Sequence, residues 1–334
     1  MAAVALPFML GSCSGDNQSN TIGNERAIYY WRTVWQPTGT ESEFMHKHKI
    51  NKIYLRFFDV TLQNGEPMPE ATMDMSSSLP DKTEIVPVVF VKDECLKDTS
   101  IGRLMAKRVL QMGNTMDIEF KEIQVDCDWH ERTRKQFFAM IEAMKAELLK
   151  HGNFSISSTI RLHQLTQPAP PAEYGMLMCY NTGDLTNIKT KNSVLEVDDV
   201  RPYPKNLKGY KLPLKAAYPL FSWKLLFSDG KFISILKNCD LSDTTLFKKE
   251  NENIYRVIKS HSRPSLAKED FGMRLFTNDV VKWDHVCAKD IKTIKQLIEK
   301  ERPEMANGIT LYSLNEIDIN RYRNEEIESF YTAD

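Results

Sequence analysis

Eight short runs rich in β-branched and aromatic residues follow one another along this chain, and their order restricts its fold more than any other feature. They cover 27–35, 52–59, 84–91, 122–128, 154–161, 175–181, 214–223 and 308–314, with helical patterns or long connections between them. Strands that alternate with helices build parallel sheets, and eight of them are enough to close a barrel. The expected fold class is therefore α/β, a (β/α)8 TIM barrel. Its clearest helices span 101–111, 131–150 and 288–300. The second puts Phe137, Met140, Ile141, Met144, Leu148 and Leu149 on one stripe and stops at His151 and Gly152, a basic-capable residue followed by a helix-ending glycine. Two connections depart from the ideal. Residues 167–173 include three prolines and leave no room for a barrel helix, while 224–286 is long and mixed. Irregular helices and an insertion between strands 7 and 8 follow. An open α/β sheet is the alternative, but it would normally carry a glycine-rich phosphate loop after its first strand, and none is present.

A length of 334 residues allows one large domain or two. A continuous set of eight strands favours a single barrel domain over 26–334. The 44 basic and 45 acidic residues show no basic stripe, which argues against a nucleic-acid partner. The amino terminus is distinct. Ala2 to Leu10 is apolar and uncharged, and Leu10-Gly11-Ser12-Cys13 closes it. Nine apolar residues cannot span a bilayer but match a signal-peptide core. Leucine, two small residues and cysteine resemble the lipobox of bacterial lipoproteins, which implies a signal peptide over 1–12, a lipid on Cys13 and a polar tether over 13–25. The chain would then sit at the cell envelope, held to the membrane by lipid. The lack of any basic residue before Arg26 leaves a cytoplasmic protein with an unprocessed leader as the alternative. Cys95, Cys127, Cys179, Cys239 and Cys287 are widely spaced without a CxxC pair, so cysteine metal or redox chemistry is not expected. His46 and His48 point apart on a helix and read as a solvated helix end. No cofactor or metal motif is present, and nothing specifies an oligomeric state.

The fourth run carries the chemistry. In Glu122-Ile123-Gln124-Val125-Asp126-Cys127-Asp128-Trp129, alternation turns Ile123, Val125 and Cys127 outward and Gln124, Asp126 and Asp128 toward the barrel axis. Polar groups on an inner face are costly unless they are used or paired. The two aspartates stand at the C-terminal strand end, where barrels keep their active sites, roughly 6–7 Å apart. Two carboxyls that close in a poorly hydrated pocket separate into an acid and a base, as protonation of a glycosidic oxygen requires. An ion pair with an inward arginine, Arg56 or Arg161, is the structural alternative.

Asp126-Cys127-Asp128-Trp129, Met178-Cys179-Tyr180-Asn181 and Trp223 together resemble the family-18 glycoside hydrolases, the chitinase-like barrels. They also resemble bacterial barrel lipoproteins with a Gln-x-Asp-x-Asp fourth strand. The family's signature is DxxDxDxE on strand 4, with the last Glu as acid, and Met-x-Tyr-Asp on strand 6. One alignment puts His130 at the acid position. Sliding by two residues puts Asp128 there, with Asp126 behind it and Gln124 outermost. Glu131 is out of phase and belongs to the first turn of the next helix. The resemblance implies catalytic roles for Asp128, Asp126 and Tyr180. It makes Gln124, Asn181, Trp223, Trp35, Arg56, Arg161 and Glu316 the candidate substrate contacts: Trp223 and Trp35 as aromatic surfaces for a sugar ring, the arginines as partners of the acidic pair, Asn181 and Glu316 at strand ends. His163 and Trp31 are weaker candidates, and Met176 and Met178 read as core. Two functions stay open: acid-assisted cleavage of a glycosidic bond, and glycan binding or protein interaction without turnover on the same fold.

Overall fold

The computed structural model describes residues 25–236, 239–262 and 274–332. The signal peptide, most of the tether and Cys13 lie outside the described residues. Eight parallel strands close a barrel: β1 (Glu25–Tyr30), β2 (Lys52–Gln63), β3 (Glu84–Val91), β4 (Glu122–Asp126), β5 (Ser155–Arg161), β6 (Tyr174–Met178), β7 (Leu214–Pro219) and β8 (Gly308–Tyr312). Each pairs with its neighbours in sequence, and β1 pairs with both β2 and β8 to seal the ring. All eight runs thus become barrel strands, in order. The chain makes a (β/α)8 barrel with an unusual set of connections.

True helices cover only part of the outside. Those longer than one turn are α1 (Gly39–Lys47), α2 (Ile101–Met116), α3 (Arg134–Leu148), α4 (Ala288–Glu301) and α5 (Asn324–Tyr331), and single helical turns form at Val197–Val200 and Glu316–Ile319. Outward side chains such as Ile123, Val125, Ile156 and Leu177 share one core with Met105 and Val109 of α2 and Phe137, Met140 and Met144 of α3. Helices α2 and α3 approach so closely that a Cβ on Gly102 would lie 2.1 Å from the Met140 carbonyl oxygen. Glycine is therefore required there. Glu131 falls in a turn before α3 rather than in its first turn, and Leu149 at its end is exposed instead of packing with the stripe.

The irregular connections set the shape of the barrel mouth. After β2 the chain returns as an antiparallel strand, Glu66–Glu70. After β5 there is only the 3-10 turn Leu162–Thr166, as the prolines of 167–173 require. After β7 comes the insertion, built on an antiparallel five-stranded sheet in which Trp223–Ser228 lies between Lys231–Leu236 and Val280–Asp284. Strand β7 ends at Pro219, so Trp223 opens the insertion instead of closing a barrel strand. Likewise β1 ends at Tyr30, and Trp35 makes a short bridge with Met75, fully buried in the outer core with its indole N–H on the Ser78 carbonyl. His48 is not a solvated helix end: it is buried against Phe44 and its Nδ1 lies 2.6 Å from Glu328. His46 is exposed.

Candidate functional site

Strand β4 lines the axis with three acceptors stacked one above another, and the three have different surroundings. Glu122 lies at the N-terminal end, where Lys52 reaches it at 2.8 Å and Ser157 and Tyr174 donate hydroxyls to it. Gln124 is fully buried in the middle, taking the Tyr29 hydroxyl on its carbonyl oxygen and offering its amide to Ser157. It is an interior hydrogen-bonding group, and no ligand at the mouth could touch it. That corrects its expected role in binding.

Asp126 and Asp128 stand at the mouth and are joined by Arg161, whose Nε donates to Asp128 and whose Nη2 lies 3.4 Å from Asp126 Oδ1. Asp126 is buried and also accepts from Thr159 at 2.6 Å. Burial raises its carboxyl above the ordinary aspartate range; Arg161 pulls it down, and the charge of Asp128 adds to the rise. The side chain of Asp128, by contrast, is 59% exposed. The deeper of the two carboxyls is thus the one inclined to keep a proton, and the outer one faces the cleft.

Asp128 and Arg161 form part of the wall of a cleft of about 540 Å³, together with His163, Tyr180, Asn181, Asp198 and Tyr203 among others. That volume is within the roughly 300–1,000 Å³ usual for small-ligand sites. Tyr180 is almost fully buried, its hydroxyl on Met178 Sδ at 3.1 Å, and burial holds that hydroxyl protonated. Met176 and Met178 fill the barrel interior, as expected. Asn181 adopts a left-handed backbone, φ 55°, which turns the chain out of β6 and into the cleft wall.

Other expected site residues lie elsewhere. Arg56 does not seal the aspartate pair. A bulge in β2 between Arg56 and Phe58 brings Arg56 and Asp59 to the same face, where they form a two-pronged ion pair, with the guanidinium also over Trp31. Trp35 is sealed in the core, so Trp31 is the first-strand tryptophan near the mouth. Trp223 donates to Ser193 at 2.9 Å and reaches Tyr180 only through the Phe221 ring. Glu316 accepts from Thr40, and its backbone N–H donates to Glu41 of α1, outside the cleft. His130 points away, 3.2 Å from Asp93.

Several site residues have little or no signal in the sequence. Tyr312 stacks on Tyr180 with ring centroids 4.9 Å apart; its inward position follows from the alternation of Gly308, Thr310 and Tyr312. Asp198 and Asp199 come from the long connection after β6, and no local pattern marks them. Among the described residues no group of His, Cys, Asp and Glu could hold a metal ion, and no helix is long and apolar enough to cross a membrane.

No protein-family model and no curated protein sequence matches the chain. Its fold is similar to solved structures. A chitinase from Chromobacterium violaceum ATCC 12472 aligns with a TM-score of 0.54 at 11% identity, over 92% of this chain and 98% of that one. The spore cortex-lytic enzyme SleL of Bacillus megaterium QM B1551 aligns at 0.51 and 12% identity, over 87% and 70%. A mutant of a plant class V chitinase from Cycas revoluta, in complex with (GlcNAc)3, aligns at 0.51 and 10%, over 92% and 99%. The chitinase-like barrel fold is shared across nearly the whole chain.

Proposed function

We propose that this chain is a saccharide-binding barrel that holds its ligand beside Asp128 without cleaving it. The observation that carries this reading is the division of labour within the aspartate pair. Acid-assisted cleavage needs a proton donor within hydrogen-bond reach of the glycosidic oxygen. Asp128, which reaches the cleft, is tied to Arg161, while Asp126, inclined to hold a proton, lies beneath and outside the cleft wall. His130, at the acid position in one alignment, faces Asp93 instead. What remains in the cleft is a polar, tyrosine-bearing surface suited to hydroxyl-rich ligands. The chitinase-like fold supports the same ligand class.

Hydrolysis is the second reading, with Asp128 as donor and Asp126 as its support. It is favoured by the raised carboxyl of Asp126 next to a second carboxylate, a way of setting an acid and a base apart. Calorimetric titration with glucose- and hexosamine-based trimers, run beside a reducing-end assay, separates the two. Saturable binding without release of reducing ends, weakened about tenfold (about 1.4 kcal/mol) by Asp128→Asn, supports binding. Release by the wild type that Asp128→Asn abolishes would instead establish hydrolysis. The lipobox-like Leu10 to Cys13 segment supports envelope anchoring; mass spectrometry of membrane-extracted protein should find Cys13 acylated and residues 1–12 gone, and an intact amino terminus would refute it.

A further inference from the structure

The cleft beside Asp128 carries three carboxylates, Asp128, Asp198 and Asp199, and a single guanidinium, Arg161. Asp128 uses Oδ1 for Arg161, and its Oδ2 receives no hydrogen bond from any described residue. Tyr180 contributes to the cleft wall, but its hydroxyl is nearly fully buried and donates to the Met178 sulfur in the barrel interior. Asp199 is exposed in the same cleft wall and forms no ion pair among the described residues. Asp198 beside it is matched by Arg201 at 3.0 Å. The one guanidinium in the cleft wall, Arg161, is already committed to Asp126 and Asp128. His163 adds no cation near neutral pH, because partial burial holds its imidazole below the ordinary range.

Resting on the saccharide reading above, we propose that this cleft selects a sugar carrying a free protonated amine, a glucosamine-type unit, over its N-acetylated and uronic-acid counterparts. An ammonium brings a positive charge and three donors to a wall offering carboxylates. N-acetylation removes the charge and leaves one N–H in place of three. A uronate would set a carboxylate against Asp128 and Asp199. Both act as discrimination against the wrong ligand.

The test is calorimetric titration of the chain with trimers of glucosamine, N-acetylglucosamine and galacturonic acid, at about pH 6 so that amines stay protonated. The glucosamine trimer should bind about tenfold more tightly than the N-acetylated one, and the uronate should not bind. Asp199→Asn should reduce glucosamine affinity about threefold to tenfold, and salt raised from about 50 to about 500 mM should narrow the preference. Asp199 is exposed, so its replacement leaves the fold intact. Equal affinity for the two hexosamine trimers overturns amine selection while leaving saccharide binding standing. If no trimer binds, both readings fall. A preference that survives both Asp199→Asn and Asp128→Asn overturns its electrostatic origin.

Discussion

The two ends of the barrel axis both hold buried ion pairs, yet they are built on opposite principles. At the N-terminal end Lys52 is surrounded by Glu122 at 2.8 Å, Glu84 at 3.1 Å and Glu25 at 3.4 Å, and Lys215 also reaches Glu25. Every charge there has partners, and Lys52 and Glu122 are about equally buried. At the C-terminal end one guanidinium serves two carboxyls, one sealed and one open to a cleft. The same β4 strand contributes to both ends through Glu122 and Asp126, with Gln124 between them. A closed cluster secures the fold, whereas an incompletely matched one leaves capacity for a ligand. This agrees with the general division of barrels into a stability face and a functional face.

The sharpest way to break that comparison is at the closed end. Lys52→Met would leave Glu122 buried without its cation, and removing one member of a buried pair costs about 3–5 kcal/mol. Urea unfolding should show that loss, with cleft ligand affinity unchanged. Burial lowers the Lys52 pKa, but Glu122, Glu25 and Glu84 outweigh it and hold the group above the ordinary lysine range. A raised amine stabilises the fold fully below its unfolded value of 10.5 and loses that contribution as pH climbs through the folded one. The wild type should therefore weaken in strong alkali, and the variant should lack that extra fall. A cost under about 1 kcal/mol would mean the closed cluster is not what secures this end.

One step up the strand, Gln124→Leu strands the Tyr29 hydroxyl in the interior, a loss of about 1–3 kcal/mol. Because Gln124 is sealed from the cleft, affinity should not change. A large drop in affinity at full stability would return it to the ligand site.

How much of this was legible in the sequence depends on whether the signal is local. The eight strands were, because parallel strands covered on both sides read as nearly continuous apolar runs. Alternation also placed Asp126, Arg161 and Tyr180 correctly, since each lies within or just past a regular strand. It failed for Trp35 and Trp223, where the apolar run continues after the ladder has ended; it turned Arg56 inward but could not give it its partner, Asp59, which is chosen by a bulge that the period of two cannot reveal. Asp198 and Asp199 were beyond reach altogether. They arrive at the cleft on a connection held by contacts far apart in sequence, such as Ser193 bonded to Asp284 of the insertion at 2.6 Å.

The smallest expected stability effect belongs to the top of β4, and it tests whether the two ends differ in sign as well as size. Burial raises the folded pKa of Asp126 above its unfolded value. Such a carboxyl binds its proton more readily in the folded chain, so ionisation of this group opposes folding. That penalty is absent below the unfolded pKa of 3.8 and is fully present above the folded pKa. Asp126→Asn removes the penalty, and Arg161 is not orphaned because Asp128 still holds it. The variant should match the wild type within about 1 kcal/mol near pH 7, or exceed it, despite losing a buried charged partner. Between about pH 4 and pH 7 its stability should also decline less as pH rises. A loss as large as that of Lys52→Met would show that the mouth, like the opposite end, is a closed structural cluster, and the distinction between the two ends would fail.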